Sequence, residues 1–456
     1  MKKQVPVEKG KTYRIHIDRL GTSGEGVGRA DGFTVFVTGA LPGEDVEARI
    51  AEVKKTYARG QLVQVVKASK DRVVPLCPIY ADCGGCQLQH LSYAAQLRAK
   101  RQQVIDAVTR IGKRPDLPVH ATLGAVEPWH YRNKMQFPVG REKGQTIIGC
   151  FAQGSHRIID TRDCQIQAAG NNAILNAVRD VVNELRISVY DEDHHRGVLR
   201  HVMGRVGEKG DLMVCLVTAT PQLPHEREVI KLLRKKLPQM VSLQQNIQTY
   251  HNNVILGRET RLLWGRPTIL DRIGRLDFHI SPRSFFQVNT AQAEVLYSKA
   301  LEYANLQGEE TVIDAYCGTG TITLFLARHA REVIGIEIVK PAIHDAEKNA
   351  RDNGIKNAQF LVGDATEVMP RLYRQGVRAD VVVVDPPRAG CTPTVLETFA
   401  HMQPQRIVYV SCNPASLARD IAILDDLGYT AQEVQPVDMF PMTSHVESVA
   451  LIVRKE

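Results

Sequence analysis

The sequence predicts a multidomain α/β protein: a small N-terminal β-barrel, a central β-rich region with clustered cysteines, and a C-terminal Rossmann-like doubly wound sheet. Three observations carry this. Short alternating strands separated by glycine turns fill the first 70 residues, and three cysteines fall between Cys77 and Cys86. From about residue 287, apolar strands alternate with helical stretches, and several strands run into an acidic residue or a cysteine. The boundaries follow as 1–70, 71–286 and 287–456, with a helical connector over about 91–112. A chain of 456 residues has room for two or three cores. Lys plus Arg exceed Asp plus Glu by 58 to 50, a net charge of +8 that favours a polyanionic partner. No run of about 18 apolar residues occurs and the first thirty residues lack a signal-like apolar segment, so neither membrane span nor secretion is expected and a cytoplasmic location is. Nine cysteines in a cytosolic chain point to metal binding or catalysis rather than disulfides.

In the N-terminal region Tyr13–Ile17, Phe33–Val37, Val46–Ile50 and Leu62–Val66 alternate as half-buried strands do. Glycines over Gly21–Gly28 and the turn Leu41–Glu44 connect them, and a closed barrel leaves no free edges. The loop Gly24–Arg29 and the LPGE turn resemble the TRAM domain, an OB-like RNA-binding module. Lys54, Lys55 and Arg59 are its candidate phosphate contacts.

Next come Cys77, Cys83 and Cys86, with Gly84 and Gly85 letting the backbone fold around something small. Three thiolates in one tight loop suit a soft metal. Cys150 and Cys164 are the candidates for a fourth ligand. Cys164 is preferred, because Cys150 lies in an apolar, strand-like setting. Zinc and a [4Fe–4S] cluster both take four cysteines, and a C-x5-C-x2-C spacing unlike paired zinc knuckles favours iron–sulfur. Further on, Tyr131–Phe137 and Ile280–Asn289 interleave cations with aromatics, as RNA contacts do.

The C-terminal region opens with Thr311–Ala315 running into the glycine turn Cys317–Gly320 and a helix over Ile322–Arg328. Val333–Ile336 ends at Glu337, 17 positions beyond Gly320, where a carboxylate can accept both hydroxyls of a ribose. Strands over Phe360–Val362 and Asp380–Val384 lead to Asp364 and to Asp385-Pro386-Pro387-Arg388. This succession resembles class I S-adenosylmethionine-dependent methyltransferases. Asp314 is expected to hold the turn, Asp364 to lie near the adenine, and Cys317 and Cys391 to be structural.

Ile407–Val410 form a further strand, Asn413-Pro414 stops it, and Ser416–Leu424 is helical. Cys412 therefore sits on a strand-to-helix turn at the ligand-binding edge. Oxygen and nitrogen acceptors need no enzyme thiol, whereas C5 of uracil becomes nucleophilic only after a thiolate adds to C6. A base must then remove the C5 proton. Glu447, flanked by Val446 and Val449 at the start of the last apolar strand, is the candidate, and His445 is its rival.

The TRAM-like start, Cys77/Cys83/Cys86/Cys164, SFFQVN, DAYCGTG, DPPR, SCNP and HVE together resemble the RNA (uracil-5-)methyltransferase family, in its iron–sulfur, TRAM-containing 23S rRNA branch. The resemblance spans the chain. It implies Cys412 as nucleophile, Glu447 as base, and cofactor contacts from Gln287, Tyr316, Glu337 and Asp385, with Asp385 also orienting the uracil. Thr321 stands where some relatives carry asparagine. The implied partner is 23S rRNA, the cofactors S-adenosyl-L-methionine and a [4Fe–4S] cluster of structural role, and the state a monomer without an obligate protein partner. The competing readings are a tRNA uracil-5-methyltransferase and a non-catalytic iron–sulfur RNA-binding protein.

Overall fold

A computed structural model describes residues 5–456. The N-terminal strands β1 (Thr12–Leu20), β2 (Gly26–Ala30), β3 (Phe33–Thr38), β4 (Asp45–Val53) and β5 (Ala58–Lys67) close into a barrel in the order β1-β2-β3-β5-β4. Its interior is small and branched: Ile15, Ile17, Val35, Val37, Val46 and Ile50. One expectation changes here, because the glycine-rich Gly26–Ala30 is a strand, not a loop. Glycine is required for its close approach to β1. A Cβ on Gly28 would stand 2.0 Å from the His16 carbonyl oxygen.

After the cysteine loop, α1 (Tyr93–Arg110) does more than connect. Val104, Ala107 and Val108 join the core of the C-terminal domain beside Leu417 and Ile421. The segment that follows runs along the edge of that domain's sheet, with Val119 bridging Val434 and Leu123 bridging Val437. It covers an edge that would otherwise be exposed.

The central domain is a seven-stranded sheet in the order β12-β11-β10-β9-β6-β7-β8, built from β6 (Lys134–Glu142), β7 (Gln145–Phe151), β8 (Ile158–Asp160), α2 (Ala169–Glu184), β9 (Leu199–Val206), β10 (Leu212–Thr218), α3 (Glu226–Lys236), β11 (Met240–Ile247) and β12 (Glu259–Gly265). One face is apolar and packs under α2 and α3 through Met135, Phe137, Val202, Val214 and Leu216. Residues of the other face line the active-site cavity: Lys134 and Gln136 on β6, and His201 on β9 opposite Pro138. The hairpin β13 (Ile269–Ile273) and β14 (Leu276–Ile280) leads into the last domain.

There α4 (Thr290–Ala304), β15 (Thr311–Ala315), α5 (Thr321–Ala327), β16 (Glu332–Glu337), α6 (Lys340–Asp352), β17 (Ala358–Val362), α7 (Ala365–Arg374), β18 (Val381–Val384), α8 (Pro393–Met402), β19 (Arg406–Ser411), α9 (Pro414–Asp426), β20 (Tyr429–Val437) and β21 (Glu447–Arg454) alternate as expected. The sheet order is β17-β16-β15-β18-β19-β21-β20. Strands β15 to β19 are parallel, and β21 inserts antiparallel between β19 and β20. Val381–Val384 are all buried, the pattern of a strand covered on both faces. The strand order reverses at β15, so a crevice opens between the ends of β15 and β18. Among the described residues no helix is long and apolar enough to cross a membrane.

Candidate active site

A cavity of about 2100 Å³ runs from the cysteine loop to the carboxyl edge of the C-terminal sheet. Every residue singled out from the sequence as catalytic, cofactor-binding or metal-binding lines it.

At the end of β15 the chain turns sharply. Tyr316 takes φ 72°, an uncommon state for a residue with a side chain, and Gly318 and Gly320 follow at 56° and 81°. This turn aims the Gly318 N–H at Glu337 Oε2 (3.2 Å), while the Val339 N–H meets Oε1 (2.8 Å). The carboxylate is thereby fixed at the end of β16 with acceptor sites to spare. Asp314 is buried in β15 and accepts from Thr323 Oγ1 (2.5 Å), so it braces the turn. Burial pushes its carboxyl up to about 7. Asp364 caps α7, accepting from the Thr366 amide (2.8 Å) and hydroxyl (2.7 Å), and still reaches the cavity wall. The Thr321 hydroxyl pairs with Tyr297 (3.1 Å), which lies beside Gln287.

The β19–β21 pairing ends at Ser411 opposite Ser448, one position short of Cys412 and Glu447. The strand register therefore brings the backbones that carry thiol and carboxylate side by side. Burial raises the Glu447 carboxyl well above the ordinary range, Asp385 adds to this, and Arg388 opposes it. Cys412 is pushed up to about 11, by burial first and then by Glu447 and Asp385, with Arg388 again opposing. Asp385 itself rises to about 7 through burial. Three acids in one low-dielectric pocket disfavour one another's ionised forms. His445 also lines the cavity, its ring edge-on to Phe440, but burial moves it below its ordinary value.

Sequence reasoning missed what holds this pocket. Arg388 is the cation that opposes both shifts, and its carbonyl accepts from Asn413 Nδ2 (2.9 Å) while Asn413 Oδ1 caps α9 (3.1 Å). Buried Asp420 accepts from the Cys391 amide (2.8 Å) and the Tyr409 hydroxyl (2.6 Å), tying the DPPR loop to α9. The Asn-Pro dipeptide signals the turn, but no local pattern announces Asp420. Arg132, Lys134 and Arg283 line other walls, and Phe285 is 70% exposed at the rim.

The cysteine wall departs from expectation. Cys83 bridges to Ala152 and the Gly84 amide donates to the Phe151 carbonyl (3.0 Å), stitching the loop to β7. Cys150 packs against the core of the central domain, as its apolar setting suggests, and also neighbours Cys83, which is drawn down to about 7 while Cys150 is raised. Burial raises Cys77, Cys164 and Cys86, the last to about 12, and the charges of neighbouring thiols add to each. Among the described residues no three His, Cys, Asp or Glu side chains form a cage that could hold a metal ion. The iron–sulfur site expected from the sequence is therefore not preformed, although its four thiols share one wall.

Comparison with known proteins bears on the whole chain. The family model described as tRNA (Uracil-5-)-methyltransferase matches residues 92–455, and that of the TRAM domain matches residues 6–63. An uncharacterised RNA methyltransferase of Halalkalibacterium halodurans is 52% identical over 100% of this chain and 99% of its own length. One from Clostridium tetani is 50% identical over 99% and 98%. The crystal structure of Pyrococcus abyssi tRNA (uracil-54, C5)-methyltransferase in complex with S-adenosyl-L-homocysteine superposes with a TM-score of 0.77. It is 29% identical and covers 97% of this chain and 100% of its own.

Proposed function

This chain belongs to the tRNA (uracil-5-)-methyltransferase family, and from that premise we propose that it methylates C5 of a uridine in 23S rRNA, with Cys412 as nucleophile and Glu447 as base. It is an S-adenosylmethionine-dependent RNA methyltransferase, and the side-by-side Cys412 and Glu447 carry the carbon-methylation reading. Gln287, Tyr316, Glu337, Asp364 and Asp385 would hold the cofactor, which supplies an electrophilic methyl group. The Cys412 thiolate adds to C6 of a uridine unstacked into the cavity, and the C5–C6 π pair moves onto C5 and O4. C5 takes the methyl group. Glu447 then accepts the C5 proton, the C–H pair re-forms the double bond to C6, and the C6–S bond breaks to return the thiolate. Arg388 favours the thiolate before addition, and Asp385, protonated near neutrality, can donate to a uracil carbonyl.

Cys77, Cys83, Cys86 and Cys164 would hold the [4Fe–4S] cluster. Their support is four buried or part-buried thiols on one wall, of which Cys77, Cys86 and Cys164 are raised by burial and neighbouring thiols, a shift that a cationic group would reverse. Bound there, the cluster would serve to tie the loop to the segment that leads into α2. The TRAM barrel binds RNA backbone, the central domain shapes the cleft, and α1 with residues up to about 123 goes with the methyltransferase domain. We take the protein as a cytoplasmic monomer with no obligate protein partner.

A tRNA substrate is the second reading, favoured by the likeness to the Pyrococcus abyssi enzyme. Incubating the protein and S-adenosylmethionine with 5-fluorouridine-substituted 23S rRNA fragments and tRNA separates the two. Fluorine cannot leave as a proton, so a denaturation-resistant protein–RNA band should accumulate with rRNA and vanish in Cys412→Ala. A band with tRNA alone transfers the substrate to tRNA. No band with either, despite cofactor binding, leaves the non-catalytic RNA-binding reading.

A further inference from the structure

Between β20 and β21 the chain makes an irregular excursion, residues 438–446, that ends at Glu447. Its front lines the cavity through Phe440, Thr443 and His445. Its back is held by one face of α1. Tyr93 donates to Asp438 Oδ2 (3.0 Å), and Lys100 pairs with Asp438 Oδ1 (2.5 Å) and donates to the Phe440 carbonyl (3.0 Å). Lys100 is 1% exposed and Asp438 0%, so this is a buried ion pair with a second donor of the ammonium engaged. Between them lies Gln96, fully buried and outside the cavity. Its Oε1 accepts from the Met442 amide (3.0 Å), and its Nε2 donates to the Leu88 (3.0 Å) and Leu91 (2.8 Å) carbonyls and to the Met442 sulfur (3.3 Å).

Met442 itself is in the left-handed region, φ 68°, which a residue with a side chain holds only when its surroundings impose it. Its carbonyl accepts from the Gln87 (3.1 Å) and Leu88 (3.0 Å) amides, directly after Cys86. Every polar backbone atom of Met442 is thereby claimed by Gln96 or by the end of the cysteine loop.

We propose that Gln96, with the Gln87–Leu88 amides, is a positioning device for the base: it fixes Met442 and so sets where Glu447 stands for removal of the C5 proton. The inference rests on Glu447 being that base. It makes the cysteine loop and the elimination step share one support, while Cys412, on the turn from β19 to α9, is held in addition by the Asn413 cap of α9. Loosening the latch should therefore slow proton removal and spare thiol addition and methyl transfer.

The test uses full-length Gln96→Leu, which keeps bulk and removes all four side-chain hydrogen bonds, and the milder, part-exposed Gln87→Ala, which keeps the backbone amide but removes the acceptor that the Ser444 amide meets on the same excursion (3.4 Å). Each is given S-adenosylmethionine and RNA with ordinary uridine, and methylated covalent adduct is measured beside turnover. In parallel, 5-fluorouridine RNA reports the rate of adduct formation alone. Turnover should fall roughly ten- to hundred-fold, with methylated adduct accumulating on ordinary RNA and trapping by fluorinated RNA within about two-fold of wild type. Equal losses in trapping and turnover, with no accumulation, would overturn the proposal. If Gln96→Leu does not fold, Gln87→Ala decides by the same criterion. Failure of wild type to trap fluorinated RNA sinks the methylation reading itself, and this inference with it.

Discussion

Two walls of one cavity carry cysteines, and they put them to opposite uses. At the catalytic edge a single thiol, Cys412, faces two carboxylic acids and one arginine. Across the cavity five thiols face mainly one another, and only Cys83 is drawn down, by Cys150. Both sets are partly buried and most members are raised. Burial alone thus does not assign a cysteine its chemistry. What differs is the partner: carboxylic acids and a cation beside one thiol suit the nucleophile proposed here, whereas thiols beside thiols leave an excess of donor atoms that a metal group would satisfy.

The largest break in this contrast comes from Cys412→Ala, which should lower methylation by roughly 10⁴-fold or more and abolish trapping by 5-fluorouridine RNA. Cys83→Ala should keep measurable trapping while losing iron and sulfide from anaerobically purified protein. Equal loss of trapping in both variants would erase the distinction between the walls. Glu447→Gln should reduce turnover by roughly 10² to 10⁴-fold yet leave adduct formation intact, seen as stalled protein on ordinary RNA.

Smaller effects sharpen the comparison. Trapping requires the thiolate, and Cys412 titrates near 11, so the trapping rate should climb about ten-fold per pH unit through neutrality. Removing the opposing cation in Arg388→Ala raises the thiol further, so the profile should shift to higher pH and the rate at neutral pH fall by about ten-fold. An unshifted profile would deny Arg388 its electrostatic role. Cys150→Ser should be the mildest change: iron content stays near wild type if Cys164 is the fourth ligand, and a loss of iron would exchange their places.

Much of this was legible in the sequence, for identifiable reasons. Period-two patterns disclosed most of the barrel, and buried valine runs ending in acids disclosed the C-terminal sheet and its edge. Cys412 on a strand-to-helix turn and Glu447 at a strand start were readable because both lie beside their own element boundaries. Strand β2 was not, since its glycines answer to the His16 carbonyl and not to a local turn. Helix α1 looked like a polar connector because Gln96 and Lys100 are among the residues it buries, and their partners lie 346 and 338 positions away. Cys150 packs against the central core as its apolar setting suggests, whereas its nearness to Cys83, made through the bridge to Ala152, has no local signal. Long-range polar pairing leaves no periodic trace.

The insertion of β21 between β19 and β20 has a consequence for the order in which the chain is made. Lys100 emerges 338 residues ahead of Asp438, its buried counter-charge, and the strand leading to Cys412 keeps an unpaired edge until β21, which follows it in sequence, has been made. Cys412 therefore emerges before Glu447, and the pocket that sets thiol and carboxylate together forms only once β21 has slid in beside β19.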